Sequence, residues 1–343
     1  MAIKVAINGF GRMGRLFLRA AWANPALDIV LINEPILNLT AAAHLLEFDS
    51  THGRFEKDNI QITDDHSQQI HIGGQSITYS QQKVLDETDF SGIDLLVECS
   101  GLYRKSAMYD NILGTSANGQ VKKVLVACPI KDADTLNIVY GVNHHLYQSQ
   151  HNHLVTAASC TTNCLAPVMK VLLDSVGVVR GSMTTIHDIT ATQNIVDGAH
   201  KDLRRARAAG ESLVPTSSGS TTAIMKIFPE LEGKLDGLAV RVPLLNASLV
   251  DLVVEVGEDV TVEQINQLFK QAADTTLAGI LGYEERPLVS VDYKDDTRSG
   301  IIDALSTLVT DKRLVKILAW YDNEINYVER MNDVATMIAT DLA

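Results

Sequence analysis

Residues 3–14, IKVAINGFGRMG, decide the fold of the first third of the chain. The apolar run Ile3–Asn8 predicts a buried strand, and three glycines follow it in the spacing GxGxxG, directly before a helix predicted from Arg12. Gly9 would permit a tight turn, Gly11 would let the backbone approach a pyrophosphate, and the third glycine would let the helix pack on the strand. Because a helix N-terminus favours negative charge, this turn predicts dinucleotide binding. A purely structural glycine turn is the alternative interpretation.

A carboxylate supports dinucleotide binding and bears on the choice of dinucleotide. Glu34 follows the next predicted strand and lies twenty residues beyond Gly14, where a carboxylate can bind the adenosine ribose. The same charge would repel a 2′-phosphate, so Glu34 favours NAD over NADP.

The order and length of the predicted strands and helices indicate two domains of different fold class. Strands that alternate with helices in the first part predict an α/β domain with an open, largely parallel sheet. Longer alternating runs with fewer helices after residue 160 predict an α+β domain with a mainly antiparallel sheet. The strands predicted in the first part are Ile3–Asn8, Asp28–Asn33, Asp94–Cys99, Val124–Cys128, Ile138–Val142 and Leu154–Ala157. Those in the second part are Ser182–Ile189, Leu238–Val242, Ser248–Val256 and Val315–Tyr321. The predicted helices are Arg12–Ala23, Thr162–Val176, one that opens with the capping box Thr261–Gln264, and a closing helix through Val328 and Ile338.

Composition narrows the range of partners. The 343 residues are enough for about two domains, and 29 basic against 42 acidic residues give a net charge of −13. A surface that negative repels nucleic-acid phosphates and anionic lipid, so neither is an expected partner. No apolar run approaches a membrane span, no signal segment opens the chain, and four scattered cysteines predict no disulfide framework. A cytoplasmic location is therefore expected.

Cys160 is the candidate nucleophile. The stretch Ser159–Cys164 lies where an apolar strand gives way to a helix, and a cysteine at a helix N-terminus gains thiolate character. A buried structural thiol is the alternative for Cys160, and a buried apolar thiol is the expectation for Cys164.

His187 is the candidate partner of that cysteine. It ends the run Met183–Ile186 and would share one face of a strand with Thr185, although a structural histidine is the alternative. Four other histidines cluster at 144–153 without a cysteine or carboxylate pattern, so no metal site is predicted.

Basic charge is scarce in this chain, which makes its clusters informative. Arg241 lies inside an apolar run and needs an anion to compensate for burial. The run His200–Arg207 is a second cluster, with a subunit-contact loop as the alternative, and Pro215–Ser220 offers an anion-binding turn ahead of a helix.

Together these residues resemble the phosphorylating glyceraldehyde-3-phosphate dehydrogenases over essentially the whole chain. The cysteine stretch is highly specific to that family. The matching stretches are Ile7–Arg12, Phe48–Phe55, Ala158–Cys164, Arg241–Pro243 and Trp320–Glu324.

The resemblance implies a fold, a cofactor and an assembly. It implies a Rossmann NAD-binding domain at 1–159 with 324–343, a glyceraldehyde-3-phosphate dehydrogenase-like catalytic domain at 160–323, NAD as the cofactor and a homotetramer. The implied partners are a small phosphorylated aldehyde and inorganic phosphate or arsenate.

It also implies a mechanism. The Cys160 thiolate would attack the aldehyde to give a hemithioacetal, and His187 would take the hydroxyl proton as hydride moves to the nicotinamide, leaving a thioester. Phosphate would then attack the thioester and release an acyl phosphate.

The remaining site residues follow by position in the family pattern, with either Arg204 or Arg205 contributing. Thr190 and Arg241 match the site for the C3 phosphate, and Ser159, Thr161, Ser218 and Gly219 match the site for inorganic phosphate. Asn323 matches the residue that holds the nicotinamide carboxamide, and Arg12 and Met13 match the backbone around the pyrophosphate.

The chain departs from the family pattern in places that bear on its exact function. Glu34 replaces the usual aspartate, and His187–Gln193 keeps the histidine and threonine but alters their neighbours. Gly198-Ala199 replaces a common Leu-Pro, which weakens the discrimination between NAD and NADP.

Two branches of the family compete. Asn33-Glu34 is similar to erythrose-4-phosphate dehydrogenases, which usually lack the phosphate turn that survives here as Ser217–Gly219. Asn33–Pro35, Leu45–Ser50 and the His187-Asp188 segment resemble a branch associated with arsenical efflux permeases, in which arsenate is the acyl acceptor. A non-catalytic NAD-binding or RNA-binding protein on the same scaffold is the alternative from a different class.

Overall fold

The computed structural model describes residues 1–114, 119–132 and 135–342, and these form two compact units. The first contains the described residues within 1–140, 144–158 and 328–343, and the second contains 141–143 and 159–327. The domain limits predicted above, 1–159 with 324–343 and 160–323, remain a prediction, and Ala343 lies outside the described residues.

The first unit carries strands β1–β11 and two helices. The strands are β1 Ile3–Asn8, β2 Leu27–Asn33, β3 Phe48–Asp49, β4 Gly53–Arg54, β5 Ile60–Thr63, β6 Gln69–Ile72, β7 Gln75–Ser80, β8 Leu95–Glu98, β9 Lys123–Val126, β10 Leu136–Asn137 and β11 Leu154–Thr156. The helices are α1 Arg12–Ala21 and α2 Leu39–Glu47.

Nine of these strands, within the described part of the unit, form one sheet in the order β10-β11-β9-β8-β1-β2-β7-β6-β5. All neighbours are parallel except those in β5-β6-β7, which are antiparallel. The chain moves from β1 to β2 on one side and later to β8 on the other. Ligands of such sheets bind where the strand order reverses, so the carboxyl end of β1 is the expected binding point.

The glycine turn after β1 explains the GxGxxG spacing. Gly9 has φ +87°, and a Cβ there would lie 2.4 Å from the Ser100 nitrogen. A Cβ on Gly14 would lie 2.2 Å from the Gly9 oxygen, so helix α1 can approach β1 only with glycine at this position. A Cβ on Gly11 would meet no atom within 4 Å. The first and third glycines therefore serve the turn and the packing, and the second borders open space.

The second unit carries strands β12–β19 and three complete helices. The strands are β12 Val178–His187, β13 Val214–Ser217, β14 Leu235–Arg241, β15 Ser248–Val256, β16 Leu281–Glu284, β17 Gly300–Asp303, β18 Leu308–Thr310 and β19 Leu314–Tyr321. The helices are α3 Cys160–Ser175, α4 Ser220–Ile227 and α5 Val262–Asp274, and α6 Ile325–Leu342 continues from this unit into the first.

The second sheet is mainly antiparallel, as the sequence predicts. Its order is β13-β14-β12-β15-β19-β17-β16, with β18 on β19, and only β12-β14 and β16-β17 are parallel among its described pairs. Central strand β15 alternates buried and half-buried residues along its whole length, the pattern of a sheet with one covered face.

Helix α3 packs on this sheet at close range. It contacts β12, β15, β17 and β19, and a Cβ on Gly300 in β17 would lie 3.0 Å from the Cys164 sulfur. Cys164 is buried, as expected. The predicted capping box of α5 is confirmed, because Thr261 and Gln264 each accept a hydrogen bond from the other's backbone nitrogen.

One predicted strand needs correction, and one group of strands was not predicted. Ile138–Val142 is not a strand, and β10 ends just before it at Asn137. Ile138 and Val139 are nevertheless buried, so their apolar character reflects packing rather than sheet pairing. The hairpins β5-β6-β7 were not predicted, because their short strands are rich in polar residues. Among the described residues, no helix is long and apolar enough to cross a bilayer.

Candidate active site

Cys160 is the first residue of helix α3, and the chain before it is shaped to place it there. Ala158 has φ +55°, a left-handed backbone conformation that costs energy for a residue with a Cβ. Ser159 is the N-cap, and its hydroxyl accepts a hydrogen bond from the Thr162 nitrogen at 3.3 Å. The thiol therefore lies at the positive end of a 16-residue helix.

The Cys160 sulfur lies 3.6 Å from Nε2 of His187. Burial on its own would raise the pKa of the Cys160 thiol, but the hydrogen bond and positive charge of His187 lower it below the usual value. Burial alone would likewise lower the pKa of His187, yet hydrogen bonds to Asp188 and Cys160 raise it to about 9. The two shifts together favour a thiolate and an imidazolium at neutral pH.

Three atoms from two residues lie near the other ring nitrogen of His187, and one of them is the carbonyl oxygen of Asp188, 3.0 Å from Nδ1. Oδ1 of Asp188 lies 2.6 Å from Nδ1, and Nη1 of Arg241 also lies 2.6 Å from it. A guanidinium only donates hydrogen bonds, so Nδ1 cannot donate to Asp188 and accept from Arg241 at once. The raised pKa of His187 favours donation to Asp188. Arg241 then donates to the Asp188 carbonyl oxygen at 3.0 Å.

The Asp188 carboxylate is itself held from the opposite side. Nδ2 of Asn323 donates to its Oδ2 at 2.7 Å, and the Ser248 hydroxyl donates to its Oδ1 at 3.3 Å. Asp188 and Ser248 are each 1% exposed and Asn323 is 7% exposed. Asn323, predicted from the resemblance to hold the nicotinamide carboxamide, therefore belongs to the hydrogen-bond network around His187.

Tyr321 contacts residues on both sides of the cysteine–histidine pair. Its hydroxyl is hydrogen-bonded to the hydroxyl of Thr161 at 2.9 Å and to that of Thr185 at 2.8 Å. Its ring meets the His187 ring edge-on, with 6.0 Å between centroids. Thr161, predicted to bind phosphate, thus has a buried partner, and Thr185 shares the face of His187 as the strand pattern predicts.

Arg241 lies next to His187 because β14 and β12 are in parallel register, with His187 opposite Arg241. Burial first, and then the charge of Arg205, lower the pKa of Arg241. Its Nε is buried and has no hydrogen-bond partner in the part of the chain that the structure describes. Arg241 is therefore a half-buried cation whose Nε donor has no partner among the described residues.

Thr190 and the pair Ser218-Gly219 are predicted phosphate residues that lie in two separate segments of the second unit. Thr190 is hydrogen-bonded to Thr192 at 3.0 Å, and Arg205 donates to Thr192 at 3.5 Å and to Thr216 at 3.0 Å. Ser218 and Gly219 precede helix α4, and the Ser218 hydroxyl accepts from the Ser220 nitrogen at 3.2 Å.

Apart from Asn323, the predicted nucleotide residues lie in the first unit. The Glu34 carboxylate accepts hydrogen bonds from backbone nitrogens of Phe10 at 2.7 Å and Ile36 at 2.8 Å. Through these two hydrogen bonds, Glu34 connects the glycine turn to the segment that follows β2. The side chain of Arg12 forms an ion pair with Asp49, and Met13 follows in the first turn of α1.

The first unit fits the pyrophosphate of a dinucleotide. Helix α1 has no side-chain cap at Gly11 and no acidic residue in its first turn. The open space beside Gly11 adjoins this helix N-terminus, where backbone N–H groups and the helix dipole favour an anion.

Sequence reasoning did not assign roles to Asp188, Ser248 or Tyr321. Asp188 had one available signal, because a carboxylate directly follows the candidate histidine. Tyr321 lies inside a stretch that matches the family, Trp320–Glu324, but only the fold brings it to Thr161 and Thr185.

The two units define an oxidoreductase class, in which a nucleotide domain accompanies a domain with an activated cysteine. Two family profiles match the chain: "Glyceraldehyde 3-phosphate dehydrogenase, NAD binding domain" over residues 3–106 and "Glyceraldehyde 3-phosphate dehydrogenase, C-terminal domain" over residues 159–323. The chain belongs to the glyceraldehyde-3-phosphate dehydrogenase family, and it is an NAD-dependent phosphorylating dehydrogenase.

Relatives match over nearly their full lengths. Glyceraldehyde-3-phosphate dehydrogenase 3 of Nostoc sp. is 55% identical over 100% of both chains. Glyceraldehyde-3-phosphate dehydrogenase 1 of Bacillus cereus is 46% identical over 98% of both chains, and the Geobacillus stearothermophilus enzyme is 45% identical over 99% of both.

Proposed function

We propose that this enzyme oxidises glyceraldehyde 3-phosphate through a thioester on Cys160, with phosphate or arsenate as the acyl acceptor. The products would be 1,3-bisphosphoglycerate or 1-arseno-3-phosphoglycerate. The observation that carries the proposal is the 3.6 Å approach of His187 Nε2 to the Cys160 sulfur at the N-terminus of α3, with the Arg241 cation beside it.

The proposed chemistry follows from the protonation states of the pair. The Cys160 thiolate attacks the aldehyde carbon, and the His187 imidazolium gives its proton to the new oxyanion to form a hemithioacetal. His187 is then neutral and takes the hydroxyl proton back when the hemithioacetal is oxidised to a thioester. NAD supplies the hydride acceptor. Attack by the oxyanion acceptor on the thioester carbon releases the acyl product and restores the thiolate.

Two anion sites are part of the proposal. Thr190 and Arg241 would hold the C3 phosphate, and Ser159, Thr161, Ser218 and Gly219 would hold the acyl acceptor. We assign Arg205 rather than Arg204 to this region, since Arg205 binds Thr216 and its charge acts on Arg241. Arg204 instead contacts the Pro215 carbonyl at 3.5 Å.

The nucleotide residues and the assembly complete the proposal. Gly9, Gly11, Arg12 and Met13 would surround the pyrophosphate, Glu34 the adenosine ribose and Asn323 the carboxamide. We further propose the domain limits 1–159 with 324–343 and 160–323, a cytoplasmic homotetramer, and no nucleic-acid or membrane partner.

For the acyl acceptor we propose the arsenical-efflux-associated branch. Its support is the likeness of Asn33–Pro35, Leu45–Ser50 and His187-Asp188 to that branch. Phosphate and arsenate are near-identical in shape and charge, so the site residues serve either oxyanion. Erythrose 4-phosphate is the competing substrate, supported by Asn33-Glu34 and opposed by the retained turn Ser217–Gly219.

A substrate comparison tests the proposed function. NAD reduction is followed with glyceraldehyde 3-phosphate and with erythrose 4-phosphate, each with phosphate or arsenate. We expect a higher kcat/KM for the three-carbon aldehyde with both acceptors. Preference for the four-carbon aldehyde would contradict the substrate assignment, and absence of turnover with every combination would favour the non-catalytic alternative.

Replacing Arg241 by glutamine tests the C3 phosphate site. Loss of one charged hydrogen-bond partner costs about 1.5–3 kcal/mol, so kcat/KM for glyceraldehyde 3-phosphate should fall about 10- to 100-fold. Glyceraldehyde without a phosphate should lose much less. Arg180→Gln is the matched control, because Arg180 is an exposed arginine of β12 paired with Glu255. Equal losses for both aldehydes in Arg241→Gln would mean that Arg241 does not recognise the phosphate.

A further inference from the structure

We propose that Asp188 is a positioning residue that fixes the His187 ring toward Cys160, so that the site works as a Cys160–His187–Asp188 array. This inference rests on the proposed function, in which Cys160 and His187 are the reacting pair.

The ring geometry is the first argument. Nδ1 of His187 lies 2.6 Å from Oδ1 of Asp188, while Nε2 lies 3.6 Å from the Cys160 sulfur. The two nitrogens are on different edges of the ring, so one orientation makes both contacts. Donation from Nδ1 to a carboxylate also selects the tautomer in which neutral His187 presents an unprotonated Nε2 to the reacting atoms.

The rigidity of the carboxylate is the second argument. Its Oδ2 accepts from Asn323 at 2.7 Å, and its backbone nitrogen donates to Ser248 at 3.1 Å. Its Oδ1 lies 2.6 Å from His187 Nδ1 and 3.3 Å from the Ser248 hydroxyl, whose single proton is shared with Asn323 Oδ1 at 3.2 Å. Asp188 directly follows the last residue of β12. A side chain held at both oxygens and at the backbone can orient a neighbouring ring, whereas a mobile carboxylate could not.

The balance of charge around His187 is the third argument. Four ionisable groups face the ring: Cys160 from α3, Asp188 from the end of β12, Arg241 from β14 and Tyr321 from β19. Arg241 opposes a protonated ring, because its charge lowers the pKa of His187. Asp188 is the carboxylate in this group, so it compensates for Arg241 and stabilises the imidazolium. Its charge also raises the pKa of Cys160, but less than the hydrogen bond and charge of His187 lower it.

Asp188 directly follows His187 in the sequence, so the carboxylate and the reacting ring are neighbours along the chain. It lies within His187–Gln193, where the family histidine and threonine are kept and their neighbours are altered. A buried carboxylate without a partner would be costly, and here the partner is the reacting histidine.

The test measures thiolate formation rather than turnover. In Asp188→Asn, the rate of Cys160 alkylation by iodoacetamide is recorded against pH, with the modified residue identified by peptide mass spectrometry. The Asp188 charge raises the pKa of Cys160 directly, while its contact with His187 stabilises the imidazolium that lowers it. The proposal requires the effect through His187 to be the larger, so alkylation at pH 7 should slow in the variant. The pH midpoint of alkylation should rise correspondingly.

Asp251→Asn is the matched control, since Asp251 is a carboxylate of the same sheet paired with Lys316 at 2.7 Å. Its alkylation profile should equal that of the unmodified enzyme. Asp188→Ser provides a second neutral variant if the asparagine variant does not fold, because serine places no amide against Nδ1. In the unmodified enzyme, NMR should show a low-field His187 Nδ1 proton that persists to about pH 9, the pKa of His187.

The outcomes separate this inference from the proposed function. An unchanged alkylation midpoint in a folded Asp188 variant would overturn the role of Asp188, even if the variant were less stable. Absence of the low-field proton would overturn it as well. Neither result touches the thioester mechanism, which fails only if the enzyme turns over without the Cys160 thiol.

Discussion

Replacement of Cys160 by serine is expected to abolish NADH formation while leaving NAD binding intact. A serine hydroxyl remains protonated at neutral pH and is a much weaker nucleophile than the Cys160 thiolate. Loss of a covalent nucleophile lowers turnover by roughly 10³-fold or more. Purified variant and unmodified enzyme are compared by absorbance at 340 nm with glyceraldehyde 3-phosphate, and NAD affinity is measured by calorimetry.

The matched control for that experiment is another cysteine. Cys128 is a half-buried thiol of the first unit, packed against its apolar core, and burial raises its pKa rather than lowering it. Cys128→Ser should keep both activity and NAD affinity. Turnover in Cys160→Ser at the rate of the unmodified enzyme would refute the thioester mechanism altogether.

Replacement of His187 by asparagine is expected to have the second largest effect. A general acid–base group contributes about 10²- to 10⁴-fold to the rate, and kcat should fall within that range. The thiol should also change, because the imidazolium lowers the pKa of Cys160 while burial raises it. Without His187, burial dominates and the pKa of Cys160 rises, so alkylation at pH 7 should slow strongly and recover only in alkaline solution.

The pH dependence of the unmodified enzyme follows from the same shifts. The folded pKa of His187 is about 9, above the ordinary 6.5, so the imidazolium persists through neutral pH and is lost as pH rises through about 9. Despite burial, the pKa of Cys160 is lowered by the hydrogen bond and charge of His187. The pH midpoint of alkylation should therefore lie below that of an ordinary thiol. A midpoint near the value of an ordinary thiol would contradict the ion pair.

Much of the fold could be predicted from local pattern. The glycine spacing after β1 predicts the turn because Gly9 and Gly14 each stand where a Cβ would collide with the backbone. The alternation along β15 predicts its register because one face of the sheet is covered. The strands β5-β6-β7 escaped prediction, since hairpins with polar faces lack a strong periodic signal.

The site was predictable only in part, and for a physical reason. Cys160 and His187 stand at element boundaries, where residue type and position together indicate chemistry. The contacts of Asp188 with Asn323 and Ser248 join residues 135 and 60 positions apart along the chain. Sheet pairing alone brings Arg241 opposite His187. Residues so far apart in the chain form no local sequence pattern, so these contacts can be identified only in the folded structure.

The close approach of Gly300 to Cys164 has a consequence for the nucleophile. A Cβ on Gly300 would lie 3.0 Å from the Cys164 sulfur and 3.3 Å from its carbonyl oxygen. The first turn of α3 thus rests on β17 with no spare room. Cys164 does no chemistry in the proposed reaction, yet its contact with Gly300 sets the distance between the helix and the sheet. The position of Cys160 above the sheet therefore depends on a contact one helical turn away, where Gly300 has no side chain to separate the helix from β17.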